Sequence, residues 1–291
     1  MCELESSNFF SSIKKSPSHM LKESLLIPDS PNSSNGVLVK GIIERDGKSY
    51  IVKTGEYSKP RFSTLEPVTE VICCEIIKLL GVNCANYFLE EVILEGNDYW
   101  KTQKVLCSFS ENFLLEGDNL IHASKILGLK NRRANYLDLI KSFNELDINN
   151  MLVVDYLLNN TDRHLRNFGK IVNNETGEVR FSPLFDHGFC LGQDLDGDYL
   201  EEESDDFSYA YTDCDYSKCC GLSNSSQIDN VKFTTVNLNI DLNEVLSVVD
   251  KYSNYLPGYR IEFMKYLLTR RFNYARKIFS KNERNYFRRD N

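Results

Sequence analysis

No stretch of this 291-residue chain comes near the ~18–20 consecutive apolar residues that a bilayer-spanning helix needs. Its opening, MCELESSNFFSSIKKSPSHML, is mixed and polar, without the apolar centre of a secretory signal. No membrane span is expected, and a cytoplasmic setting is; delivery into a host or target cell would have to use another signal. The nine cysteines lack pattern as well. They are odd in number and scattered, with no CxxC pair and no His near Cys214, Cys219 and Cys220. Reduced thiols are expected, rather than a disulfide framework or a zinc site. Positive charge is in deficit: 34 Lys and Arg face 42 Asp and Glu, for a net charge of −8, so direct nucleic-acid binding is not expected. Internal repeats are absent, and the only biased tract is acidic.

What is present suits a globular protein with a substantial core, 42% of residues being hydrophobic and 12% aromatic. Residues 1–29 read as weakly structured, and the turn-rich stretch PDSPNSSNG follows. VLVKGII and SYIVK, separated by Asp46-Gly47, read as a β-hairpin. Pro67 marks the first turn of a helix with the apolar stripe Val68, Ile72, Ile76 and Leu79, stopped by Gly81. NYFLEEVIL and DYWKTQKVL then read as strands joined at Glu95-Gly96-Asn97. From Ser108 the pattern is mainly helical, with candidates near 119–128, 134–144, 148–159, 240–253 and 259–280. The expectation is an α+β fold with a small β-rich lobe over 30–108 and a mainly helical lobe over 109–291. A cleft between the lobes is the natural ligand site.

Between the helices lies a polar island, NNTDRHLRNFGKIVNNETGEVRFSPLFDHG, with a hairpin turn at Asn173 to Gly177. Asp162 follows the apolar helix MLVVDYLL, Asn167 comes five positions later, and Asp186 follows the hairpin. Phosphoryl transfer needs such a set: an acid to orient the attacking hydroxyl and hard oxygen ligands for Mg²⁺. Each residue also has an ordinary reading. Asp162 could pair with Arg163 or Arg166, Asn167 could serve the turn before Gly169, and Asp186 could cap a turn with Gly188. Taken together these readings weaken, because the order and spacing resemble a known active-site layout.

NNTDRHLRNFG followed by FSPLFDHG resembles the catalytic and metal-binding segments of the HipA-like (CtkA-like) serine/threonine kinases. These share the bilobal protein-kinase-like fold with phosphatidylinositol kinases, whose loop also reads D-R-H-x-x-N. The resemblance covers roughly residues 30–280 and is dense only over 151–192. It implies ATP and Mg²⁺ as cofactors. Asp162 becomes the catalytic acid/base residue, His164 a support of that loop, and Asn167 and Asp186 the Mg²⁺ ligands. It also implies a strand lysine, met here by Lys53, and a helix glutamate eleven residues before a Gly, met by Glu70. Lys53 shares a strand face with Ile51, and Glu70 a helix stripe with Cys73, Cys74 and Ile77, both costly places for an unpaired charge. A snorkelling lysine and a first-turn glutamate are the plain alternatives.

The family's phosphate-covering loop would fall at Ser30–Gly36, where Ser33, Ser34 and Asn35 could line phosphates although the stretch holds a single Gly. The hinge would fall near Val105 to Ser108. The extra N-terminal subdomain of full-length HipA proteins is not expected before that loop. A Ser/Thr protein acceptor follows from the resemblance, and it leaves room for an antitoxin-like regulator. From Asp194 to Asp215 stand ten acids without a Lys or Arg, which reads either as a solvated mobile loop or as a dock for a basic or nucleic-acid-associated protein substrate. Residues 251–291 hold eleven Lys or Arg among apolar positions, which reads as a packed last helix with a solvated basic face. Two other functions stay open: a lipid or small-molecule kinase of the same fold, and a non-catalytic, nucleotide-binding pseudokinase module.

Overall fold

The structure, a computed structural model, describes residues 20–21, 26–28, 37–128, 134–214 and 224–286. The chain divides into two compact units, Met1–Pro67 with Tyr87–Asn112, and Val68–Asn86 with Phe113–Asn291.

The first unit is a seven-stranded sheet built from β1 (Met20–Leu21), β2 (Leu26–Pro28), β3 (Val37–Arg45), β4 (Lys48–Ser58), β5 (Arg61–Phe62), β6 (Tyr87–Leu94) and β7 (Gln103–Glu111). The order is β1-β6-β7-β4-β3-β2, with β5 on β4, and every pairing is antiparallel except β1 on β6. Asp46 and Gly47 turn β3 into β4 with φ of 52° and 76°. Consecutive left-handed residues match the twist of the strands they join. Val39, Val52, Val92, Leu94, Trp100, Val105, Cys107 and Phe109 make the core.

Of residues 1–29, expected to be weakly structured, the structure describes only the short strands β1 and β2, paired with β6 and β3. One expectation fails in this unit: DYW was expected in a strand, yet β7 begins only at Gln103. Asn97 Oδ1 accepts from the Tyr99 and Trp100 N–H groups, and the Trp100 indole donates to the Glu95 carbonyl at 3.0 Å. Those bonds fold Trp100 back onto the core instead of extending it.

α1 (Leu65–Leu79) carries Pro67 in its first turn, and Gly81 ends it at φ 72° while donating to the Lys78 carbonyl. Beyond it the second unit contains β8 (Asp118–His122), α2 (Ala123–Ile126), α3 (Tyr136–Ser142), α4 (Glu145–Leu157), β9 (Gly169–Asn173), β10 (Val179–Phe181), α5 (Gly197–Glu202), α6 (Ser208–Asp213), α7 (Asn224–Ile228), α8 (Leu242–Lys251) and α9 (Gly258–Tyr286). α4 is buried from Ile148 through Leu157 except for Asn150, as expected of a helix that is apolar nearly all round. α9 packs on it, and its residues Phe263, Met264, Leu267, Leu268 and Phe272 are buried. β8, β9 and β10 form a small antiparallel sheet.

Further expectations are corrected here. A helix was read over 119–128, but Asp118–His122 is a strand on β9 and only Ala123–Ile126 is helical. The open edge of β9, and Asp118 bonding to Arg180 and Asn173, override the helical period. The acidic tract is not simply loop, since α5 and α6 lie in it. Nor is the basic face of α9 wholly solvated. Arg260 and Arg271 are buried, and Arg260, Arg271 and Arg276 donate inward to backbone carbonyls. Cys73, Cys74, Cys84, Cys107, Cys190 and Cys214 are free thiols, while Cys2, Cys219 and Cys220 lie outside the described residues. No helix among the described residues is long and apolar enough to cross a membrane.

Candidate active site

α4 ends at Leu157, and Asn159, at φ 53°, turns the chain out of it. Asn160 then anchors the next stretch: its amide donates to Asp155 at 2.8 Å, and its Oδ1 accepts the Asp162 N–H at 3.0 Å. Asp162, His164 and Asn167 share one tight loop. The Asp162 carbonyl accepts from the His164 N–H at 2.7 Å and from the Asn167 side-chain amide at 3.2 Å, and the Asn167 N–H donates to the His164 carbonyl at 2.8 Å. With its amide nitrogen so engaged, Asn167 presents Oδ1 as the atom able to take a ligand. His164 Nε2 stands 3.9 Å from an Asp162 oxygen, and its Nδ1 accepts the Arg166 N–H. The Asp162 side chain is 23% exposed, so it reaches solvent from an otherwise buried loop.

Asp186 lies on the segment 182–191, laced to this loop at several points. Ser182 and Gly169 exchange two bonds, Thr161 donates twice to the Phe189 carbonyl, and the Leu191 N–H donates to the Leu158 carbonyl. On its other side Leu184 bridges to the Asn83–Ala85 stretch that follows α1. Asp186 has φ 63°, and with Asn159 and Leu191 (φ 56°) it is one of three non-glycine residues in the left-handed region around this loop. Each costs about 1–2 kcal/mol and persists only where its surroundings over-determine it, a condition typical of functional loops.

The residue joining these pieces is Arg163, which the sequence offered only as an ordinary partner for Asp162. Its bonds run to other partners. Its side chain is 0% exposed and faces Asp155 of α4, itself 1% exposed, with Nε 2.9 Å from Oδ2. One terminal nitrogen donates to the Asn167 carbonyl at 2.7 Å and to the Phe185 carbonyl at 2.9 Å, while the other meets Asp155 at 3.0 Å and His187 Nε2 at 2.9 Å. Asp155, Arg163 and His187 were not singled out from sequence. A signal for Asp155 existed: an acid inside MLVVDYLL must be paired if that helix is buried. A further histidine, His122 at the end of β8, bonds the Arg166 backbone, and burial holds its imidazole below the ordinary value.

The remaining site residues are positioned as follows. Lys53 is half-buried on β4, in register with Lys40 and Ser108. Glu70 is 2% exposed on α1. Val105 and Ser108, expected at a hinge, are buried within β7, which continues to Glu111; the chain leaves the first unit at Asn112. Ser33, Ser34 and Asn35 lie outside the described residues. Among the described residues no three His, Cys, Asp or Glu side chains converge as a ready-made metal cage. Mg²⁺ in phosphoryl-transfer sites asks for less, commonly one or two protein oxygens completed by phosphate and water.

By sequence, no known protein family matches the chain, and no curated protein is similar to it. By structure, it is similar to a Helicobacter pylori proinflammatory kinase, CtkA, with a TM-score of 0.66 at 17% identity over 91% of this chain and 98% of that one. That likeness establishes the fold: kinase-like, α+β, with an antiparallel sheet in the N-terminal region and helices in the C-terminal region. A Neurospora crassa PAN3 pseudokinase mutant aligns over 90% of this chain and 65% of its own, at 14% identity and a TM-score of 0.28, too low to carry an argument.

Proposed function

We propose that this chain is an ATP-dependent, Mg²⁺-using kinase of the HipA-like type that phosphorylates a Ser or Thr hydroxyl of a protein. The observation carrying this reading is the tie between two short segments. The loop of Asp162 and Asn167 and the segment of Asp186 are joined through one buried guanidinium, with Asp186 in a left-handed backbone. The kinase-like fold supports it.

In this reading Asp162 accepts a hydrogen bond from the acceptor hydroxyl and aims its oxygen at the terminal phosphate. The donor set fits Mg²⁺, since Asn167 Oδ1 and the Asp186 carboxylate are hard oxygens. Bound there, the ion would neutralise charge on the phosphates. His164 supports the loop. By the same family resemblance Lys53 and Glu70 would serve the phosphate oxygens, with Ser33, Ser34 and Asn35 as further phosphate contacts, and the stretch from Val105 to Ser108 would border the nucleotide. The acidic tract supports a basic protein substrate, and an antitoxin-like regulator would act on such a kinase.

Incubation with labelled ATP, Mg²⁺ and a mixture of basic peptides tests the reading. The wild type should transfer label, and Asp162→Asn and Asp186→Asn should each lower the rate by about 10² or more. One feature favours a second reading as a nucleotide-binding pseudokinase: the stretch Ser30–Gly36 holds a single Gly. Nucleotide binding without transfer, unchanged by Asp162→Asn, would establish that instead.

A further inference from the structure

The buried Arg163 has more partners than a structural ion pair needs. Asp155 already supplies a full counter-charge, by contacts at 2.9, 3.0 and 3.2 Å. The same guanidinium then uses one nitrogen to hold the Asn167 and Phe185 carbonyls together, and another to meet the ring of His187. Asn167 is thereby gripped at its own carbonyl, and Asp186 is bracketed by gripped residues on both sides. A buried ion pair is a weak source of stability, because apolar side chains of equal volume often serve as well. Its particular capacity is geometric. A planar fork with fixed donor directions sets the spacing of everything it touches, and the rigid helix α4, through Asp155, sets the fork.

Resting on the kinase reading above, we propose that Arg163 is a positioning residue that fixes the separation of the two metal-binding segments, with Asp155 as its anchor on α4. It touches neither nucleotide nor acceptor. It acts through backbone, by keeping Asn167 Oδ1 and the Asp186 carboxylate at one spacing before any ion arrives. A lysine at this position keeps the charge but has a single nitrogen, which cannot serve Asp155 and both carbonyls in the same directions. The loops would then keep their residues and lose their mutual register.

The test measures metal binding itself, alongside activity. The full chain is titrated with Mn²⁺ in the presence of a non-hydrolysable ATP analogue, and free Mn²⁺ is followed by electron paramagnetic resonance. Arg163→Lys should weaken Mn²⁺ binding about tenfold or more, the range found when outer partners of metal ligands are removed. It should also raise the Mg²⁺ concentration for half-maximal transfer while leaving the KM for peptide unchanged. Arg276→Lys is the control, because Arg276 donates to the Leu238 and Ile240 carbonyls away from the loop, and its loss should lower the melting temperature without moving the Mn²⁺ curve. Should Arg163→Lys fail to fold, Asp155→Asn serves, loosening the anchor but keeping the guanidinium, with a smaller shift in the same direction. A folded Arg163→Lys or Asp155→Asn that binds Mn²⁺ like the wild type overturns the positioning role and leaves the kinase reading intact. A wild type that takes up no Mn²⁺ with nucleotide and transfers no phosphate overturns both.

Discussion

The loop from Asn159 to Phe168 and the tract from Asp194 to Asp213 are both rich in polar residues, and the fold uses their acids in opposite ways. Around the loop, Asp155 is buried against Arg163, and Asp162 reaches solvent from a backbone held by Asn160 and Asn167. In the tract, Asp194, Asp196, Asp198, Glu201, Glu202, Asp205, Asp206 and Asp213 are exposed. Their work is local. Asp196 caps α5 by accepting the Asp198 and Tyr199 N–H groups, Asp206 accepts the Ser208 N–H, and Asp213 accepts from the Tyr199 hydroxyl. Residue type is the same in both places, and burial with a fixed partner makes the difference. An acid in water at a helix start contributes a few tenths to about 1 kcal/mol. One sealed against a guanidinium cannot be removed alone without stranding a buried charge.

The sharpest way to break that comparison is to empty the buried side of it. Asp155→Ala leaves Arg163 charged, buried and without its counter-ion, and should cost about 3–5 kcal/mol in unfolding free energy measured by urea titration. A loss below about 1 kcal/mol would mean that water or another acid reaches Arg163 readily. In that case the loop would be no better fixed than the tract.

Much of this was legible because it is written in local periods. The Asp46-Gly47 hairpin, the helix stopped at Gly81, and the helices near 134–144, 148–159, 240–253 and 259–280 all follow from spacing and turn chemistry. The turn from Asn173 to Gly177 holds too, with the Asn173 side chain accepting the Glu175 and Thr176 N–H groups. Spacing also marked Asp162 and Asn167, which one loop brings together. What sequence could not give depends on partners distant along the chain. β8 reads as helix until β9 is available to pair with it. Arg163 reads as a neighbour of Asp162 until α4 offers Asp155 on the buried side. Arg260, Arg271 and Arg276 read as solvated until carbonyls at Gly192, Tyr156 and Leu238 turn toward them. Charge in a sequence says that a partner is needed, and only the fold supplies it.

Two smaller changes probe how tightly the loop's surroundings are set. Gly169 follows the loop directly, and a Cβ there would lie 2.2 Å from the Ile121 carbonyl oxygen, so β8 and β9 would have to part. Gly169→Ala should cost about 1–3 kcal/mol by the same urea titration, as overpacking does elsewhere. Beneath it, Arg180 of β10 bonds Asp118 of β8 and holds its carboxyl at about 2, against an ordinary 3.8. A depressed carboxylate stabilises the fold above its unfolded value and loses that contribution as pH falls toward its folded one. Arg180→Gln should therefore be less stable than the wild type at pH 7, with the difference shrinking between pH 4 and 2. A difference that stayed constant across that window would show that packing of the Arg180 stem, rather than its charge, secures the small sheet.

The smallest expected effect belongs to the exposed side of the comparison. Glu201 and Glu202 are exposed and Glu203 half-buried, and none has a charged partner within hydrogen-bonding reach among the described contacts. Replacing all three by Gln should change unfolding free energy by less than about 0.5 kcal/mol, the usual result for surface positions. Their consequence should appear only against a charged partner. If the tract receives a basic substrate, the triple change raises the KM for a basic peptide several-fold, leaves kcat nearly intact, and weakens the salt dependence of KM, because attraction between exposed charges is screened over about 8–10 Å at ordinary ionic strength. An unchanged KM at low salt would leave these acids with nothing to do but keep the surface in water, and the substrate's contacts would then have to be sought among residues that the loop itself presents.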